Sequence, residues 1–162
     1  MSKMSMKVRF LSHAAMIGAL YVALTFVSAA FGLSSGAVQV RLSEALTVLP
    51  VFTPAAIPGL VVGCLLSNML TGCLPWDIVF GTLATLLGAL GTYALRRFSR
   101  WFAPIPPILA NSFIVPAVLQ SVYGVEEAYP LLMASVGLGE IIAAGVFGMF
   151  LYHAVKKTKL FN

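Results

Sequence analysis

Long apolar runs separated by short polar or proline-rich connections set the pattern of this chain. The runs cover approximately residues 10–33, 41–53, 57–70, 78–95, 107–123 and 129–155. The first, fourth and sixth approach or exceed the roughly 20 residues that an α-helix needs to cross a bilayer. The segment from Arg41 to Phe52 is apolar on a helical period but too short to cross upright, and Pro50, Pro54 and Pro58 then interrupt it. Ser67, Asn68 and the turn-like TGCLPWD end the third run, RRFSR ends the fourth, and KKTK follows the sixth.

Parity decides whether 41–70 is one span or two. One span would place RRFSR opposite the N-terminal bases. With two, nine of the ten Lys and Arg (Lys3, Lys7, Arg9, Arg96, Arg97, Arg100, Lys156, Lys157 and Lys159) face one side, the cytoplasmic one by the positive-inside tendency. The fold expected is an all-α polytopic membrane protein: a single domain over residues 1–162, six transmembrane helices and both termini cytoplasmic. The start of the chain also mimics a secretory signal, with Ser28-Ala29-Ala30 as a cleavage motif. Its apolar run exceeds the usual 7 to 15 residues and further spans follow, so an uncleaved first helix is expected.

Composition agrees with that pattern. Hydrophobic residues make up 60% of the chain and charged ones 9%, and a mean hydropathy of +0.98 excludes a water-soluble globule. The net charge of +5 comes from bases flanking apolar runs, which explains it by topology rather than by a nucleic-acid surface. On a continuing helix Cys64 and Cys73 would lie about 13 Å apart, beyond disulfide reach. No cysteine–histidine metal spacing occurs, and His13 and His153 sit near the basic ends. The sequence holds no GxxxxGK[ST], GxSxG or HExxH, so no catalytic residue, metal or cofactor is assigned.

Against this apolar background the few polar residues stand out. In the six-span topology Arg41 and Glu44 open the second helix at the outer face, Asn68 closes the third and Asp77 opens the fourth. Gln120 and Tyr123 close the fifth, while Glu140 lies about 16 Å down the sixth, at the floor of the outer half. Together they describe a polar cup open to the outside. If Glu costs about 3 kcal/mol in a helix centre, some ten apolar neighbours return roughly 3 to 6, so insertion survives. Arg41-x-x-Glu44 also fits a self-contained ion pair, and Glu140 a structural partner of Arg41. Carboxylates nevertheless outnumber arginines in the cup, and buried acids need hydrogen-bond donors or a cation, which a ligand with N–H groups or positive charge supplies. Trp76 fits either an interfacial belt aromatic or a stacking lid. Asn111 and Ser112 are expected to bond backbone near Pro107 or Pro116, and Tyr21 to be a lipid-facing or core aromatic.

Helix one carries Ala15-x-x-x-Ala19-x-x-x-Ala23, a stripe of small residues that permits close approach of another helix, internal or external. This stripe, QVRLSEAL, TPAAIPGLVVGCLLSN, PWDIVFGTLATLLGA and the GLGE of helix six resemble the QueT family, six-helix substrate-binding components of energy-coupling factor importers. The resemblance implies an importer subunit, not an enzyme, in the cell membrane of a prokaryote. It implies a queuosine precursor as ligand, a 7-deazapurine in the 7-aminomethyl or 7-cyano form. It also implies partners: a membrane coupling subunit, docked through Ala15, Ala19 and Ala23, and two cytoplasmic ATPases that use ATP while this chain binds no cofactor. The reading from another class is a solitary proton-coupled carrier of a purine-like or vitamin-like solute, using Glu140.

Overall fold

The computed structural model describes residues 3–33, 39–158 and 161; the connection at 34–38 and Lys159 of the last basic cluster lie outside them. Among the described residues the chain is all-helical. The segments are α1 (Lys3–Ala30), a 3-10 helix (Leu42–Val51), α2 (Ala56–Leu70), α3 (Pro75–Leu95), a short 3-10 turn (Arg100–Phe102), α4 (Ile105–Ser121) and α5 (Tyr129–Glu140). A π-helical segment (Ile141–Phe147) then leads into α6 (Gly148–Thr158). By length and apolar composition three stretches reach across a bilayer, Met4–Ala30, Pro75–Leu95 and Tyr129–Thr158; Leu42–Val51, Ala56–Leu70 and Ile105–Ser121 are shorter apolar helices.

The second element departs from the expected α-helix. It is a ten-residue 3-10 run around which the molecule is built: Ser43 to Pro50 are all buried, and it packs against α1, α2, α3, the π segment and α6. A 3-10 helix rises about 2.0 Å per residue, so ten residues reach about 20 Å where an α-helix would reach about 15. The tighter winding lets a short segment run far through the bundle. With three residues per turn its side chains fall into eclipsed rows, each with its own neighbour. Ser43 meets Thr25 of α1 at 3.0 Å, and Leu46 and Leu49 join a core with Ile17, Tyr21, Leu60 and Cys64. Ala45 and Val48 lie against Gly148, whose missing Cβ would sit 2.9 Å from Val48 Cγ1 and 3.3 Å from the Ala45 carbonyl. Glu44 and Thr47 form the third row, tied by a 2.6 Å bond from Thr47 Oγ1 to the Glu44 carbonyl.

The sixth element also departs from a regular helix, through its π segment. Glu140, Ala144, Gly148 and Tyr152 are all buried, a strict four-residue repeat. In a regular α-helix such a repeat drifts about 40° around the cylinder at each step, and a wider π turn winds it back. The remaining helices pair by removing side chains. Gly59 and Gly63 meet α1 so closely that a Cβ would lie 2.6 Å from the Ala14 carbonyl and 2.7 Å from Tyr21 Cβ, and a Cβ on Gly88 would lie 2.8 Å from Pro107 on α4.

The basic segments gather at one end. His13 of α1 meets Phe161 with ring centroids 5.0 Å apart, Phe52 at the end of the 3-10 helix stacks on Phe161, and Trp101, His153 and Lys157 line one surface groove. The other end carries the polar residues described next. Gly72 turns the chain there with φ +76°, yet Cys64 and Cys73 remain free thiols.

Candidate functional site

At the polar end a pocket of about 240 Å³ opens between α1, the Gln39–Arg41 stretch, the α2–α3 turn and the end of α4. Helix α1 contributes Thr25 and Ser28, which with Tyr21 recur at i, i+4 and i+7 and so share one face. Ser28 Oγ accepts the Leu42 amide at 2.8 Å, anchoring the start of the 3-10 helix. Arg41 precedes that helix in extended conformation (φ −101°, ψ 105°), so it points from a strand-like stretch rather than from a helical face shared with Glu44. Asn68 and Thr71 close α2, Asp77 opens α3, and Cys73, Leu119 and Tyr123 complete the wall. Gly81 leaves room for the Asn68 amide, which would lie 3.1 Å from a Cβ there. Tyr123 donates its hydroxyl to Asp77 Oδ2 at 2.8 Å and accepts the Leu74 amide at 3.3 Å. Partial burial, with the Asp77 carboxylate beside it, pushes the Tyr123 phenol up to about 12.

Beneath the pocket lies a second polar layer. Glu44 is buried, receives the Tyr21 hydroxyl at Oε1 and accepts Asn111 Nδ2 at Oε2 over 3.4 Å. Glu140 is also buried, and its Oε2 has no hydrogen-bond partner. It faces a void of about 10 Å³ bounded by Gln39, Arg41, Asn111, Val115, Val136 and Glu140. Arg41 lines both this void and the outer pocket and acts electrostatically on Glu44, Asp77 and Glu140.

Of the residues singled out in the sequence, Arg41, Asn68, Asp77 and Tyr123 line the pocket together. Glu44 and Glu140 form the layer below. Trp76 is not among the residues lining the pocket; it is 62% exposed and stacked on Phe80 with centroids 6.1 Å apart. Gln120 turns away and donates to the Glu127 carbonyl at 2.7 Å, tying the end of α4 to its loop. Asn111 corrects the expectation of a backbone partner near a proline, since its amide goes to Glu44, whereas Tyr21 is the core aromatic of its two alternatives and also a buried hydrogen-bond donor. Ala15, Ala19 and Ala23 are exposed. Ala15 and Ala19 flank an apolar groove of about 430 Å³ between α1 and α2, floored by Gly18 and Gly59.

Residues 11–157 match the family model described as QueT transporter. Over 86 residues the chain is 36% identical to the queuosine precursor transporter QueT of Lactococcus lactis subsp. cremoris; that alignment covers 52% of this chain and 50% of the relative. The chain thus matches about half the length of this curated relative. No solved structure matches the chain.

Proposed function

Because the chain belongs to the QueT transporter family, we propose that it is the substrate-binding membrane subunit of an energy-coupling factor importer and holds a queuosine precursor in the polar pocket. The observation that carries this reading is the pocket itself. Arg41, Asn68, Asp77 and Tyr123, from four separate segments, converge on about 240 Å³ at the end opposite the basic clusters. That volume lies below the range usual for drug-sized ligands and suits a small heterocycle. A 7-deazapurine brings N–H donors for Asp77 and acceptors for Asn68 and Arg41.

In this reading the chain crosses the bilayer six times, the 3-10 segment making the second crossing with help from its long rise. Both termini are cytoplasmic, with the basic end toward the inner leaflet. A membrane coupling subunit and two cytoplasmic ATPases supply the energy. Calorimetry on the purified protein in detergent with 7-aminomethyl-7-deazaguanine should give saturable one-to-one binding, weakened by Asp77→Asn. Absence of binding by correctly folded wild type sinks the proposal. Sustained uptake by the protein alone in liposomes, driven by a proton gradient without ATP, would replace the importer subunit with the solitary carrier.

A further inference from the structure

Three buried side-chain oxygens among the described residues lack a hydrogen-bond partner: Thr82 Oγ1, Ser112 Oγ and Glu140 Oε2. Glu140 is the carboxylate among them, and a carboxylate left without donors in a dry interior is far costlier than a hydroxyl. Asn111 and Arg41 lie close enough to Glu140 to act on it, yet its Oε2 keeps no hydrogen-bond partner. Asn111 donates to Glu44 Oε2, and Val115 and Val136, which also bound the void, are apolar. The void that Glu140 faces, about 10 Å³, has room for about one water-sized group. An ammonium group has that size and carries three donors.

Two further observations fix how such a group would arrive. Gln39 and Arg41 wall both the void and the outer pocket, so the two cavities share a wall. The Gln39 carbonyl packs onto Gly139, where a Cβ would overlap it; the partition is one strand lying directly on the helix that carries Glu140. Charge points the same way, because two carboxylates, Glu44 and Glu140, share this layer with a single guanidinium.

We propose that the void beside Glu140 is a subsite for one small cationic N–H donor, a primary ammonium on a short arm of a ligand whose body lies in the outer pocket. This rests on the reading of that pocket as the ligand site. The test is calorimetry on the full-length protein at neutral pH with 7-aminomethyl-7-deazaguanine and 7-methyl-7-deazaguanine, equal in body and different in the terminal group. The ammonium ligand should bind about 10- to 150-fold more tightly, as a charge-assisted hydrogen bond implies. Glu140→Gln should erase that preference, whereas Asp77→Asn should weaken both ligands by the same factor. Should Glu140→Gln fail to fold, Glu140→Asp keeps the charge one methylene further back and should retain a reduced preference. Equal binding of the two ligands by wild type, as for a void that holds only water, overturns the proposal. So does a preference that survives in Glu140→Gln, or a folded Glu140→Asp that binds both equally. If wild type binds neither ligand, the outer-pocket reading fails, and this subsite with it.

Discussion

The seam between α1 and α2 and the polar layer around Glu44 both require chain segments to approach closely, and they achieve it by opposite means. At the seam both helices stay regular and the side chains are deleted: Gly18, Gly59 and Gly63 bring backbone against backbone. Around Glu44 and Glu140 the side chains are kept and the backbone is rewound, into a 3-10 run on one side and a π segment on the other. Apolar packing is non-directional, so a smaller residue suffices. Hydrogen bonds fall off steeply with misalignment, so carboxylates must be aimed, and rotating the helix does that. Non-α winding therefore flanks the Glu44 and Glu140 layer, whereas the rim residues Asn68 and Asp77 stay on regular α-helices.

The strongest way to break the polar layer is Glu44→Ala, which strands the Tyr21 hydroxyl and the Asn111 amide in the interior. Each stranded buried group costs about 1–3 kcal/mol. The variant should show the largest fall in thermal unfolding midpoint of any single change considered, together with loss of ligand binding. A Glu44→Ala protein as stable as wild type would mean that the layer is not what orders the 3-10 helix. At the seam, Gly63→Ala should follow closely. Its Cβ would meet Tyr21 Cβ at 2.7 Å and the Gly18 carbonyl at 2.9 Å, and overpacking of this kind costs roughly 1–3 kcal/mol. An unchanged midpoint would show that α1 and α2 separate freely.

The same contrast explains what could be read from the sequence. Hydropathy located the helical segments because burial in lipid depends on length and composition, and the chain is all-helical among the described residues, as expected. It could not distinguish 3-10 from α winding between Leu42 and Val51. Both ends and both faces of that segment are apolar apart from Ser43, Glu44 and Thr47, so no periodicity selects a turn size. Glu140 stood out as an acid in an apolar run, but its unpartnered Oε2 is set by tertiary contacts such as that of Asn111 with Glu44, 67 residues apart in sequence. The Tyr21, Thr25, Ser28 stripe was missed, although its i, i+4 and i+7 spacing was the signal that could have named the α1 face turned toward Glu44 and the pocket. Trp76 and Gln120 were visible as polar or aromatic residues at helix ends, where direction is set by the turn and not by helical period.

A gentler change sharpens the view of the pocket rim. Tyr123→Phe removes one donor from Asp77 at a half-exposed site, so ligand affinity should fall by about 2- to 10-fold, the worth of an ordinary hydrogen bond of 0.5–1.5 kcal/mol. The raised phenol value gives the sign of the pH response. The neutral hydroxyl is the donor, so its contribution is present below the ordinary phenol range and is lost only as pH rises through about 12. Ultraviolet titration of wild type should show a late tyrosine ionisation that is missing in Tyr123→Phe; identical late titration in the two proteins would mean that neither burial nor Asp77 holds the Tyr123 phenol up.

The smallest effect on fold and ligand should come from Ala19→Leu, on the outward side of the seam. The close contacts of α1 with α2 run through Ala14, Ile17, Gly18 and Tyr21, whereas Ala19 is exposed and flanks the apolar groove with Val22, Val62 and Leu66. Added methyl groups there project away from the bundle, so unfolding midpoint and ligand affinity should match wild type. If the groove receives the coupling subunit of the proposed importer, the same bulk prevents close helix approach. The variant should then fail to co-purify with that subunit and fail in ATP-driven uptake. Loss of stability would place Ala19 inside the seam and erase the distinction between the two faces of α1. Intact co-purification and uptake would leave the groove to lipid and require the coupling subunit to dock elsewhere.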